Sequence, residues 1–343
     1  MFASTSTSIA WLILLVSVAG WIVYAIFNVR GSRSEIGAEQ KLAANRKEYY
    51  DDEALEGPRL ERVQVLGLLF LVIITISLPL YWVMEPSRQA GATFGFEKRF
   101  TKWGAELFTS TADGGYNCSG CHGGMKATGG VASYAVTDPK TGEVKAVSWK
   151  APSLNTVMYR YTEDEVRFIL NYGRPFSPMS AWGTIGGGPL TDQSVQTLID
   201  YLKSIQIPQE NCETTRSAYN PTCLDGKLPE ANNKEIIAEA QRQVDSGKYG
   251  SLGEALFNLD LGSGAYSCAR CHTKGWSYDD PQVTGGGALG PSLTSGSSIR
   301  QFPNQSEMIA FIQGGSELGK RYGEQGQGSG RMPAFGQVYT EDQ

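Results

Sequence analysis

A five-residue pattern, Cys-x-x-Cys-His, occurs at residues 118–122 and again at residues 268–272. Cysteines three residues apart share one side of a helical turn, so both thiols of a copy can reach the same partner. The adjoining histidine then approaches that partner from the same side. This pattern is typical of covalent c-type haem attachment. A thioredoxin-like dithiol or a zinc site is the alternative interpretation, and two copies with matching flanks disfavour it.

The sequence therefore predicts two covalently attached haem c groups, each with a histidine as the first protein ligand of its iron. The chain contains only two histidines, so neither iron can take a second one from this chain. Methionine is the usual sixth ligand that remains in c-type cytochromes. The predicted attachment residues are Cys118, Cys121 and His122 in the first copy and Cys268, Cys271 and His272 in the second.

Met179 and Met332 are the predicted sixth ligands. Both lie in loops after the middle helix of their module, where the chain can pass around the haem edge and reach the face opposite the histidine. Met125 is too close to His122 in sequence to cross the ring. Met158 and Met308 have no counterpart in the other module, and Met308 lies on the apolar face of a predicted helix. Filling a gap in the core is the alternative role for any of these side chains.

Two prolines are candidate partners of the histidines. Pro152 and Pro291 each open a Pro-Ser-Leu segment downstream of their motif. A metal-bound histidine usually donates its second ring N–H to a carbonyl or a carboxylate, and proline, with its fixed φ, offers a stiff carbonyl. We expect these carbonyls to accept hydrogen bonds from the two histidines. The alternative is that the prolines only shape a loop and accept no hydrogen bond from the histidines.

The flanks of the two motifs match each other, which predicts two homologous domains at residues 97–207 and 249–343. We call them the first and the second module. Besides its haem motif, the first module is expected to contain a β-hairpin at residues 132–149, a helix between Thr162 and Gly173, and a final helix that Thr191 caps. The matched segments are 103–108 with 252–257, Tyr116 with Tyr266, 152–154 with 291–293, 165–166 with 307–308, and 179–183 with 332–336.

The remaining cysteines, Cys212 and Cys223, lie in the predicted linker at residues 208–248, which also contains a polar helix at about residues 232–246. Haem attachment of this kind is completed outside the cytoplasm, where disulfides persist. We therefore expect a Cys212–Cys223 disulfide, with two free thiols as the alternative. The net charge of −5 gives no reason to expect nucleic-acid binding. No spare histidine or cysteine pair remains to build a copper site.

Two long apolar runs, residues 9–29 and 63–84, precede the modules. At about 1.5 Å per residue each can cross a hydrocarbon core of about 30 Å. The first run has no Lys or Arg before it and is longer than a usual signal-peptide core, so an uncleaved helix is favoured over a signal peptide. A buried core helix is the other alternative. The basic loop at residues 30–62 predicts a cytoplasmic loop, with residues 1–8 and both modules outside the cell membrane.

Both modules resemble class I cytochromes c. The resemblance is carried by a helix with Gly104 and Phe108, or Gly253 and Phe257, by the haem motif, by the Pro-Ser-Leu segment and by the late loop with its methionine. It implies a mainly α fold class, with two transmembrane helices followed by two class I cytochrome c domains. The second module stops after Thr340, where the first has its final helix. We therefore expect the native chain to continue past Gln343.

Membrane helices followed by two such modules are similar to the dihaem cytochrome cc subunit of actinobacterial cytochrome bc complexes. That resemblance implies a subunit in the lipid bilayer that relays single electrons from a quinol-oxidising complex toward a terminal oxidase. It also implies cytochrome b, a Rieske protein and a haem-copper oxidase as partners, with the oxidase joined in a supercomplex. The dihaem subunit of cbb-type oxidases has a similar front end and is the alternative.

Two further observations bear on the class of function. Two His/Met-ligated irons have no open coordination position, which disfavours a dihaem enzyme such as a peroxidase or a thiosulfate dehydrogenase. Methionine ligation raises the reduction potential, as suits the high-potential end of a respiratory chain. We expect a chain that is not catalytic alone. An anchored shuttle would differ from the relay only in lacking stable partners.

Overall fold

The computed structural model of the protein describes residues 2–32, 57–137, 141–174, 177–209, 227–273, 275–278, 290–317 and 332–343. The fold is mainly helical, with few strands. The chain divides into two compact units, Met1–Thr93 and Phe94–Gln343. Both predicted modules belong to the second unit.

Two long helices contain the apolar runs. Helix α1 spans Phe2–Ser32 and helix α2 spans Pro58–Phe108. Each is long and apolar enough to cross a membrane, and almost all of their described apolar side chains are exposed. The run at residues 63–84 and the helix around Gly104 were predicted as separate elements. The structure instead continues one helix through Pro79 and Pro86, because a proline removes one backbone hydrogen bond without forcing a helix to end.

The first module has the elements that local sequence signals predict. Helix α3, Cys118–His122, carries the first haem motif, and strands β1, Gly130–Thr137, and β2, Val144–Ala151, pair antiparallel in the expected hairpin. Helix α4, Glu163–Tyr172, begins with a capping box between Thr162 and Glu165. Helix α5, Asp192–Ser204, begins where the Thr191 hydroxyl accepts the Ser194 N–H.

Helix α5 packs against the end of α2 to form the core of the first module. Gly104 permits the close approach, since a Cβ there would lie 1.9 Å from the carbonyl oxygen of Thr197. The rings of Phe108 and Tyr201 meet beside this crossing, with centroids 5.2 Å apart. The other buried members of this core are Ala127, Val157, Tyr161, Val166, Leu170, Leu190, Val195, Leu198, Ile199 and Leu202.

The second module contains shorter helices and a different supporting helix. The described helices are α6, Glu230–Asp245, α7, Leu252–Asn258, α8, Ala269–His272, α9, Ser297–Gln301, and α10, Gln305–Gly314. Helix α6 was expected only as part of a linker. In the structure its Ile236 and Ala240 are fully buried against Ala255, Leu256 and Leu259 of the second core. A stripe of apolar residues on a mostly polar helix makes this packing possible.

The face of α7 that corresponds to the Gly104 face of α2 is open. A Cβ on Gly253 would meet nothing within 4 Å, and residues 340–343 are not helical. The second module therefore lacks, among its described residues, the helix crossing that closes the first. Cys212 and Cys223 lie outside the described residues, so their predicted disulfide stays a prediction.

Candidate functional site

A largely apolar cavity in the first module brings the predicted ligands together. The side chains of Cys118, Cys121 and His122 line one part of it, and Met179 lines it as well. Leu170 of helix α4 and Leu198 of helix α5 contribute apolar walls. The motif and the methionine are more than fifty residues apart in sequence. Folding of the module thus places two thiols, one imidazole and one thioether around the same space.

Both histidines have the hydrogen bond that the Pro-Ser-Leu repeat predicts. The Nδ1 atom of His122 lies 2.8 Å from the Pro152 carbonyl oxygen, and the Nδ1 atom of His272 lies 2.9 Å from that of Pro291. A carbonyl only accepts, so each Nδ1 carries the proton and each Nε2 keeps its lone pair. Burial lowers the pKa of both histidines. Both rings are thus prepared as neutral metal ligands through Nε2.

The motif thiols are in an environment that does not suit thiolate chemistry. Burial raises the pKa of Cys118 to about 11 and that of Cys268 to about 12. Burial also raises the pKa of Cys271. Redox-active and zinc-binding cysteines instead require a lowered pKa or an adjacent metal. All four motif cysteines are free rather than paired in disulfides.

The described residues that flank Met179 and Met332 form the same contacts in the two modules. Each methionine follows a helix that ends at a glycine with φ near 70°, Gly173 in the first module and Gly315 in the second. A Cβ on either glycine would lie 2.5 Å from the carbonyl oxygen of the methionine in its own module. In both loops a serine hydroxyl also accepts the methionine N–H, at 3.2 Å for Met179 and 2.8 Å for Met332. The two methionines are therefore structural counterparts.

Aromatic pairs link each haem motif to its methionine loop. Tyr116, two residues before the first motif, meets Trp182 at 5.7 Å between ring centroids. Tyr266, two residues before the second motif, meets Phe335 at 6.2 Å. Both contacts join positions that the sequence repeat aligns. The contacts support a common architecture for the two modules, which the duplicated sequence predicts.

A buried guanidinium also lines the cavity and was missed by the sequence reasoning. Arg160 is 2% exposed, and its hydrogen bonds go to the carbonyl oxygens of Ser153 and Thr156 and to the Thr156 hydroxyl. Its Nη1 atom is buried without a partner. Burial lowers the pKa of this guanidinium. A buried cation with only neutral acceptors is costly unless an anionic group pairs with it, so this wall suits the carboxylate of a bound group.

The second module contributes directly to the wall of the first cavity. Tyr266, Arg270 and Ser277 line it together with the first-module residues. The Arg160 guanidinium stacks on the Tyr266 ring at 4.0 Å. The Asn155 side chain donates to the Gly262 carbonyl oxygen at 2.6 Å. No local pattern in the sequence predicts these contacts, because they join residues about a hundred positions apart.

Among the described residues, no three His, Cys, Asp or Glu side chains come together as a metal site. The predicted iron ligands are one histidine and one methionine per module. A pair of this kind is smaller than such a cluster and includes a methionine, so the absence of a cluster does not bear on it. In the second module, several residues between His272 and Met332 lie outside the described part of the chain.

Comparisons with protein-family models, with curated proteins and with solved structures found no match for this chain.

Proposed function

We propose that this chain is a membrane-anchored dihaem c-type cytochrome that relays single electrons within a respiratory complex. The observation that carries the proposal is the first cavity, where two thiols, a neutral histidine and Met179 surround one apolar space. When bound, each haem supplies an iron that takes up and releases one electron. A class I cytochrome c fold for each module is part of the proposal.

The residues of the first cavity fit a covalently held haem. Cys118 and Cys121 are placed for two thioether bonds, and His122 can offer Nε2 because Pro152 fixes the tautomer. Met179 provides a soft, uncharged second ligand. The apolar walls exclude water, which favours the less charged, reduced iron. Arg160 offers an unpaired N–H to a haem carboxylate. The duplicated contacts of Met332 and His272 support a second site of the same kind.

The two apolar helices support a membrane-bound protein. With loop 30–62 inside, as its basic residues predict, both modules lie on the outer face of the cell membrane. There the chain would receive electrons from a quinol-oxidising cytochrome bc complex, with cytochrome b and a Rieske protein, and would pass them to a haem-copper oxidase. A place as the electron-entry subunit of a cbb-type oxidase is the alternative.

Purification from native membranes in mild detergent, followed by mass spectrometry of the copurifying proteins, tests the placement. Cytochrome b and a Rieske protein are expected, with a haem-copper oxidase if the two complexes form a supercomplex. An oxidase catalytic subunit without cytochrome b would favour the cbb-type alternative. Free migration of the dihaem chain without any subunit would contradict a stable complex and indicate an anchored shuttle.

A further inference from the structure

The two haem motifs differ at both positions between their cysteines, and covalent attachment requires neither difference. The residue before the second cysteine is Gly120 in the first motif and Arg270 in the second. A Cys-x-x-Cys-His turn therefore forms with either residue. Haem attachment therefore does not explain the arginine at position 270, and the contacts of its side chain suggest a different role.

Arg270 is buried between the modules, with 4% of its side chain exposed. It forms an ion pair with Asp260 and donates a hydrogen bond to the carbonyl oxygen of Lys150, in strand β2 of the first module. Its guanidinium carbon lies 5.0 Å from the ring centroid of Trp276 and 5.6 Å from that of Tyr266. These contacts fix the cation in one place, and its Nε atom is buried without a partner.

The fixed cation lies at the first haem cavity rather than only beside its own motif. Arg270 lines the cavity together with His122 and Met179, whereas Asp260 does not line it. Asp260 is 23% exposed, so solvent screens its opposing charge more strongly.

We propose that Arg270, a residue of the second haem motif, is a positioning residue that raises the reduction potential of the first haem. This inference rests on the proposed function, because it requires a haem at each motif. Reduction removes one positive charge from the iron, so a nearby buried cation stabilises the reduced state. The second motif thereby sets the driving force for electron transfer at the first site, and the two haem sites act as one unit.

The size of the effect follows from Coulomb's law. A unit charge about 10 Å from the iron, at an effective dielectric constant of about 20, changes the reduction equilibrium on the order of tenfold. A tenfold change corresponds to about 59 mV for a one-electron couple. Potentiometric titrations of haem proteins resolve a shift of this size.

The test is a spectroscopically followed redox titration of the full-length dihaem protein and its variants in detergent. Arg270→Gln is expected to lower the reduction potential of the first site by about 59 mV, which corresponds to a tenfold change in the reduction equilibrium constant. Asp260→Asn is expected to raise the same potential, because it leaves the cation uncompensated. Arg270→Lys, which keeps the charge, should recover most of the wild-type value. The first-site wave is assigned with Met179→His, which removes the methionine that raises the potential of that site.

The control is Arg242→Gln on helix α6. The Arg242 side chain is 63% exposed and forms an ion pair with Glu239. This substitution should leave both potentials unchanged. A merely structural role for the Arg270–Asp260 pair would shift the first-site potential in the same direction for Arg270→Gln and Asp260→Asn, and that result would overturn the inference. Unchanged potentials in both variants would overturn it as well. A wild-type protein without haem would instead overturn the proposed function, so the two failures are distinguishable.

Discussion

Met179 is the residue that would determine the electronic character of the first site under the proposed function. Its backbone is held by the Ser177 hydroxyl, which accepts its N–H, and by Arg174, whose N–H donates to its carbonyl oxygen at 2.8 Å. These two hydrogen bonds hold the Met179 backbone at the cavity. Under the proposed function, Met179 as sixth ligand would leave the iron no open position and would limit it to electron transfer.

Replacing Met179 by alanine is expected to open the first iron to external ligands. The reduced variant should bind about one carbon monoxide per chain rapidly, and the potential of that site should fall, because methionine ligation raises it. Optical spectra of the reduced protein with and without carbon monoxide measure both effects. Met158→Ala, at a half-buried methionine that packs on the same core, is the matched control and should not bind carbon monoxide. Rapid binding by the wild-type protein would favour a dihaem enzyme over a relay.

The site residues that could be predicted from the sequence are those in a local motif or in a repeated segment. His122, Met179 and Pro152 stand in motifs that recur in the second module, and the structure places all three at one cavity. Arg160 and Arg270 have no counterpart in the repeat. Their importance arises from burial and from the contact between modules, and a local sequence pattern does not reveal either.

At the scale of elements, helix ends were predictable and helix packing was not. Thr162, Gly173 and Thr191 mark the ends of α4 and α5 where the sequence placed them, because a cap is a hydrogen bond between residues three or four positions apart. The continuity of α2 was not predicted, since the residues between the apolar run and Gly104 carry no helix signal that was identified in the sequence. The burial of α6 depends on distant residues of the second core.

The contrast between Gly104 and Gly253 gives a matched pair of substitutions in two equivalent helices. Gly104→Ala is expected to destabilise the protein by about 1–3 kcal/mol, because the new methyl group would overlap the Thr197 carbonyl oxygen at the α2–α5 crossing. Gly253→Ala, which adds a methyl group into open space, is expected to be neutral or to stabilise by up to about 1 kcal/mol. Chemical denaturation followed by circular dichroism measures both. Equal losses of stability in the two variants would contradict the different packing of the modules.

For the whole molecule, α1 and α2 are long and apolar enough to cross a membrane, and Phe94–Gln343 contains the predicted redox part. Under the proposed function, such helices would keep the redox part of the chain at the membrane.

The membrane assignment predicts a definite behaviour of the full-length chain. Alkaline carbonate should leave all of it in the membrane pellet, and detergent should release it. Protease added to the outside of intact spheroplasts should remove the modules after residue 84 and leave loop 30–62 protected, as its basic residues predict. Release by carbonate would show that the apolar helices do not span the bilayer. Cleavage of the loop from outside would reverse the proposed topology.

The proposed function requires that this one chain carries two covalently attached haems, one at each Cys-x-x-Cys-His motif. The most direct measurement is intact mass spectrometry of the purified chain after denaturation, combined with peptide mapping of the modified cysteines. We expect a mass increase of two haem groups, located at Cys118 with Cys121 and at Cys268 with Cys271. In a Cys268→Ser and Cys271→Ser variant, one covalent haem should remain. A native chain without covalent haem, or with zinc bound to unmodified thiols, would contradict the proposed function.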